Sequence, residues 1–174
     1  MSGTDVSTAI LPADTGALDR PLSSDEGDFD CTSDPARPGW LRWTLKDTGR
    51  FNSVLGPMWA RKAEDGMVHV LTEPGYLQGN LSNNLHGGMI LTQIDIALFV
   101  CARLNGSLGE GPGVTLDLST HFYGAGKVGV PTICEVEILR ETGRFIFERG
   151  LVTQNGESIC AFTGTIRKSS VPRR

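Results

Sequence analysis

From Met89 to Ala102 the chain contains no glycine or proline and is apolar at nearly every position. Such a run predicts a helix without a polar face, which has to be covered on all sides to be stable. Asp95 sits in the middle of it. A carboxylate there is costly unless it is paired, solvated by a cleft or protonated. Asp95 is therefore the most informative residue in the chain. A membrane span is disfavoured, because the run falls short of the ~20 residues a crossing needs and carries Gln93 and Asp95 near its centre.

The surrounding sequence says what covers the helix. An Asn-rich approach, Asn80-Leu-Ser-Asn-Asn-Leu, ends at His86-Gly87-Gly88 and predicts a helix from about Gly87 to Arg103. Upstream, residues 57–62 and 67–72 read as strands joined by Asp65-Gly66, a strong hairpin signal. Downstream, strand-like runs cover residues 114–123, 132–140, 144–154 and 158–168, and the last three are linked by short turns, one of them Asn155-Gly156. Alternation in the first of these runs places Val114, Leu116, Leu118 and Phe122 on one face, with Thr115, Asp117, Ser119 and His121 on the other. The economical architecture is α+β: one long buried helix wrapped by an antiparallel sheet of five or six strands.

Charge divides the chain. Residues 1–38 hold eight Asp/Glu against two Arg, and few large apolar residues, so they are expected to form a disordered acidic tail. Residues 39–56 read as a short helical or irregular collar, 57–168 as the folded domain and 169–174 as a C-terminal tail. The part from residue 39 onward has a net charge of +2, which argues against a nucleic-acid partner and permits a small anionic ligand. Cys31, Cys101, Cys134 and Cys160 lack metal or redox spacing, and the last three fall in apolar runs, as buried thiols do. The three histidines lack zinc-ligand spacing, so no metal is expected. With no signal-like or spanning segment, the expected location is cytoplasmic.

Gly87 and Gly88 place backbone N–H groups at a helix start, where they lack intrahelical partners and where the helix dipole adds positive charge. A carbonyl oxygen turning into an oxyanion is stabilised by such groups. Asp95 lies seven residues beyond Gly88, ~10 Å along the axis and within ~20° of the same face. One helix therefore cannot bring both features to one carbonyl. Two helices running antiparallel across a two-fold axis can, so a site using both lies between subunits.

Asn80, His86-Gly-Gly and Asp95 on a buried helix, followed by Gly113-Val-Thr-Leu-Asp117 and Phe122…Lys127-Val-Gly129, resemble the PaaI-like hotdog-fold acyl-CoA thioesterases. The resemblance extends upstream to Phe51-Asn-Ser-Val-Leu-Gly56 and spans about residues 51–167. It implies a hotdog fold, a homodimer or dimer of dimers, and hydrolysis of an acyl-CoA with no cofactor, coenzyme A being part of the substrate. By position it implies that Asn80 and the N–H of Gly87 or Gly88 polarise the thioester carbonyl, with Asp95 of the partner subunit as base or nucleophile. Thr115 falls where a Ser/Thr orients the water, and Lys127 where a cation near coenzyme A belongs. His86, placed among the site residues by its position, is expected to fix the turn through a hydrogen bond. Asn83 stands where some members have glycine, and Asn tolerates the left-handed backbone such a position needs. Tyr123-Gly-Ala-Gly126 replaces a usual proline. The alternatives are a non-catalytic acyl-CoA binder and, third, a hotdog dehydratase.

Overall fold

Strand pairing in the computed structural model, which describes residues 29–108 and 113–169, forms a single antiparallel sheet. Its strands are β1 (Phe29–Ser33), β2 (Leu41–Leu45), β3 (Met58–Lys62), β4 (Val68–Thr72), β5 (Gly113–Phe122), β6 (Thr132–Glu141), β7 (Phe145–Gln154) and β8 (Glu157–Lys168). Their spatial order is β1-β2-β3-β4-β6-β7-β8-β5, so β5 forms one edge although it follows the helix directly. The helix α1 (Gly87–Leu104) lies across one face of the sheet. This is the hotdog fold. Gly66 and the pair Asn155-Gly156 adopt positive φ at the β3–β4 and β7–β8 turns, which is why these turns were readable from their residues.

The sheet has eight strands where five or six were expected. The two extra strands at the β1 edge come from residues assigned to tail and collar. Residues 29–33 pair with Leu41–Leu45, and the collar supplies β2 and a short 3-10 helix, Phe51–Leu55. Side-chain contacts offset the polar composition of this hairpin. The rings of Phe29 and Trp43 pack at 5.5 Å, Arg37 stacks on Trp59 at 3.9 Å, and Trp59 Nε1 donates to Asp34 Oδ2 at 2.6 Å. Residues 1–28 and 170–174, the rest of the two expected tails, lie outside the described residues.

The core forms where α1 meets the inward faces of β3, β4, β6, β7 and β8. Ile94, Ala97, Leu98 and Cys101 meet Ala60, Val70, Val136, Val152, Cys160 and Ile166, all at most 1 % exposed. Leu98 approaches so closely that a Cβ at Gly164 would lie 2.4 Å from its Cδ1, so a larger residue there would force the Leu98 side chain to shift. Gln93, fully buried, donates from Nε2 to Val70 O and accepts at Oε1 from Thr132, whose Oγ1 is 2.7 Å from Thr72 Oγ1. These bonds fasten the helix to β4 and β6. The length and composition of α1 would suit a bilayer crossing, but its packing against the sheet accounts for both.

The helix is not covered all round. Gly88 and Leu91 are exposed, and Thr92, Asp95, Phe99 and Arg103 are half-buried, forming a stripe down one side. Among the described residues nothing covers its apolar members, Leu91 and Phe99, completely.

Glu148 on β7 is a core carboxylate, 1 % exposed, and neither of its oxygens has an N–H or O–H donor among the described residues. Burial raises its pKa from the ordinary 4.5 to about 8, against a smaller opposing effect of the Cys101 thiol beside it. Burial also pushes the Cys101 thiol far up, and the Cys160 thiol to about 11. A carboxyl whose folded pKa lies above its unfolded value costs the native state nothing at low pH and destabilises it as pH rises through the interval between the two values. Unfolding free energy is therefore expected to decline from pH 4.5 towards pH 8, by an amount on the order of a few kcal/mol. Glu148→Gln should flatten that decline, as measured by urea denaturation across the same pH interval.

Candidate active site

The start of α1 is built by hydrogen bonds of the preceding loop. His86 N donates to Gln78 O, and its carbonyl accepts from Met89 N and Ile90 N. The His86 ring is the N-cap, accepting the Gly88 N–H at Nδ1 over 3.0 Å. This is the turn-fixing role expected of it. It also separates the two glycines. The Gly88 N–H is occupied, whereas the Gly87 N–H has no partner among the described residues. Gly87 is thus the donor available at the helix start. A Cβ there would meet the Phe122 ring at 3.8 Å, so Phe122 walls this point.

Asn80 anchors the loop before the helix. Its Oδ1 accepts from Ser82 N at 2.8 Å and Asn84 N at 3.2 Å, and its own N–H donates to Asn84 O at 2.7 Å. Among the described residues its side-chain Nδ2 has no acceptor and remains a free donor. Asn83 adopts φ 55°, the left-handed conformation anticipated for it. Lys127 Nζ donates to Asn84 Oδ1 at 2.8 Å, so the lysine read as a coenzyme A contact is tied to this loop.

Asp95 projects from the half-open stripe of α1 toward β5, where Thr115 Oγ1 donates to its Oδ1 at 2.6 Å. That contact depends on a β-bulge. Pairing with β8 slips between Thr115 and Asp117, leaving Leu116 outside the register. Simple alternation put Thr115 opposite Leu118. The extra residue brings both to the helix side, Thr115 on Asp95 and Leu118 against the core. Phe122, in phase with Leu118, thereby reaches Gly87, a neighbour the sequence pattern did not reveal. The hydrogen bond from Thr115 fixes one carboxylate oxygen and leaves the other open to accept a proton.

Within the chain these features form two half-sites. Gly87 and Asp95 are eight residues apart on one helix, roughly 12 Å along its axis. Gly87, with Phe122 beside it, presents an N–H at the helix start, and Asn80 presents its free amide from the loop that leads there. Asp95 and Thr115 make an acceptor site near its middle. Among the described residues no three His, Cys, Asp or Glu side chains converge as metal ligands would.

Comparison with known proteins shows what this combination of fold and helix start is similar to. The thioesterase superfamily model matches residues 82–161, from the loop before α1 into β8. Among solved structures, zebra fish thioesterase superfamily member 2 is 23 % identical with a TM-score of 0.62, covering 71 % of this chain and 89 % of its own. A hypothetical thioesterase protein with coenzyme A from Streptococcus pneumoniae is 25 % identical with a TM-score of 0.60, covering 72 % and 97 %. A mutant form of the phenylacetic acid degradation protein PaaI from Thermus thermophilus is 21 % identical with a TM-score of 0.58, covering 68 % and 98 %. No curated protein matches the sequence closely enough to count as a relative. The stretch from the helix approach into β8 is thus similar to the thioesterase superfamily, and the PaaI protein shares the hotdog fold of this chain.

If the His86 ring is a cap, His86→Ala should cost about 1 kcal/mol of stability. Turnover per folded molecule should fall far less than a catalytic histidine would require, and chemical denaturation alongside an activity assay checks both.

Proposed function

We propose that the protein hydrolyses an acyl-CoA thioester to the free acid and coenzyme A, in a site completed by a second copy of the chain. The observation that carries this reading is Asp95, half-buried on a predominantly apolar helix, on the side that the sheet does not cover completely, and held there by Thr115. The superfamily match and the coenzyme A in the S. pneumoniae protein support the substrate class.

The chemistry needs no more than these groups supply. The Gly87 N–H and Asn80 Nδ2 receive the thioester oxygen and stabilise the charge that develops on it. The partner subunit's Asp95 takes a proton from water as the water oxygen bonds to the carbonyl carbon. The tetrahedral intermediate then expels sulfur, breaking the C–S bond, and the coenzyme A thiolate picks up a proton. Thr115 keeps the base in orientation.

The need for a second copy follows from the ~12 Å between the half-sites. Two surfaces favour the pairing. β5 is an edge strand with Val114, Leu116 and Phe122 half exposed, at 51, 52 and 48 %, and the open stripe of α1 carries Leu91 and Phe99. A free edge next to exposed apolar side chains is the surface a symmetric partner covers. Dimers of dimers are compatible with this geometry.

Asp95→Asn preserves shape but removes the proton acceptor. Its kcat should fall about 100-fold or more, with acyl-CoA affinity little changed, in a thiol-release assay run beside direct binding. Wild type that binds acyl-CoA without hydrolysing it would favour the binder reading. The shared site has its own check. Mixed and re-equilibrated Asp95→Asn and Asn80→Ala subunits should regain about a quarter of wild-type activity, because half the dimers are hybrids with one intact site each. No recovery, or a stable active monomer in sedimentation, removes the partner from the mechanism.

A further inference from the structure

Gln154 stands at the end of β7, 7 % exposed, far along the chain from any residue assigned to the site. Its carboxamide makes three hydrogen bonds, all to one loop. Oε1 accepts from Lys127 N at 2.7 Å, and Nε2 donates to Lys127 O and Val130 O, each at 2.9 Å. Both sides of the Lys127 backbone are thus gripped by a buried side chain.

The gripped loop in turn supports the donor half-site. Lys127 forms an antiparallel bridge with Asn84, and Lys127 Nζ donates to Asn84 Oδ1. One residue earlier, Gly126 O accepts from Leu85 N at 2.8 Å. Gly126 comes close because it lacks a side chain; a Cβ there would lie 2.7 Å from Leu85 Cδ1. Asn84 and Leu85 stand between Asn80, which Asn84 closes through two hydrogen bonds, and His86, which caps α1. Backbone and side-chain bonds therefore run without a gap from Gln154 through Lys127 and Asn84 to Asn80 and the first turn of the helix. The Tyr123-Gly-Ala-Gly126 segment, which replaces an expected proline, is the layer that makes this contact possible.

We propose that Gln154 is a positioning residue for hydrolysis: acting through Lys127 and Asn84, it sets the Asn80 amide and the Gly87 N–H at the separation a developing oxyanion requires. The inference rests on the thioesterase reading above. A buried side chain with three bonds to one loop holds geometry more tightly than solvent-exposed contacts do, and oxyanion donors lose most of their effect when displaced by about 1 Å. On this account Lys127 serves the loop from below, and its ammonium affects the rate before it affects binding.

Gln154→Met keeps the volume and removes all three bonds, while Lys127→Met removes only the bond to Asn84 Oδ1. In steady-state hydrolysis of a panel of acyl-CoAs, both variants should lose kcat, Gln154→Met by about tenfold or more, with KM changed less than about twofold. Hydrogen exchange of the full-length protein should show faster exchange for amides of residues 80–88 and unchanged protection in the core of α1. Wild-type kcat per folded Gln154→Met molecule, or unchanged exchange at residues 80–88, overturns the proposal while leaving the thioesterase reading intact. If Gln154→Met fails to fold, Lys127→Met decides: raised KM with intact kcat makes the lysine a substrate contact and overturns the relay. A wild type that hydrolyses none of the panel removes the thioesterase reading, and this inference with it, whatever the exchange data show.

Discussion

The rotational setting of α1 governs what the rest of the molecule can do, and Gln93 fixes it. An amide buried at the centre of a helix has to find partners, and here they are the Val70 carbonyl and the Thr132 hydroxyl, on adjacent strands of the sheet. Two residues further, about 200° round the helix, Asp95 is sent to the opposite side, over β5. Leu98 packs directly onto Gly164, where no Cβ intervenes, so helix and sheet lie close together here. A carboxylate that would be ruinous on the sheet side thus comes to rest at the boundary between core and edge. Glu148 shows the contrast: in the core, with no N–H or O–H donor at either oxygen, it keeps its proton to about pH 8.

The helix start depends on how its donors are shared out. Four N–H groups at a helix N-terminus need partners from outside. The His86 N–H goes to the Gln78 carbonyl, the His86 carbonyl takes that of Met89, and the His86 ring takes that of Gly88. One is left over. Because one residue supplies both kinds of acceptor, the remaining Gly87 donor stands at a defined place beside Phe122, and the dipole of eighteen residues is directed at that point.

Much of this was legible in the sequence. The helix bounds followed from Gly87-Gly88 and the apolar run, the β3–β4 hairpin from Asp65-Gly66, and the last three strands from alternation and tight turns. The family resemblance pointed to Asn80, Asp95 and Thr115, and the structure adds the Thr115–Asp95 hydrogen bond. What was missed has physical causes. β1 and β2 are five-residue strands whose stabilising contacts, Arg37 on Trp59 and Trp59 to Asp34, join residues more than twenty apart. The bulge at Leu116 inverts the phase of β5, and strict alternation cannot register an extra residue. Glu148 shares an inward phase with Ile146 and Val152, but Phe145 and Phe147 on either side of Ile146 mask that phase. The choice between Gly87 and Gly88 depended on where one imidazole nitrogen points.

The apolarity of α1 has a consequence during synthesis. Most of the strands that cover it are made after it: β6, β7 and β8 lie downstream, and Lys168 follows Leu104 by 64 residues. At roughly 5–20 residues per second, translation leaves this helix without its full sheet for about 3–13 s. During that interval the nascent chain displays a segment whose length and composition suit a bilayer. Of its final cover only the upstream strands, the β3–β4 hairpin chief among them, have by then been made. The helix that later carries the carboxylate is thus the part of the core that waits longest for its cover.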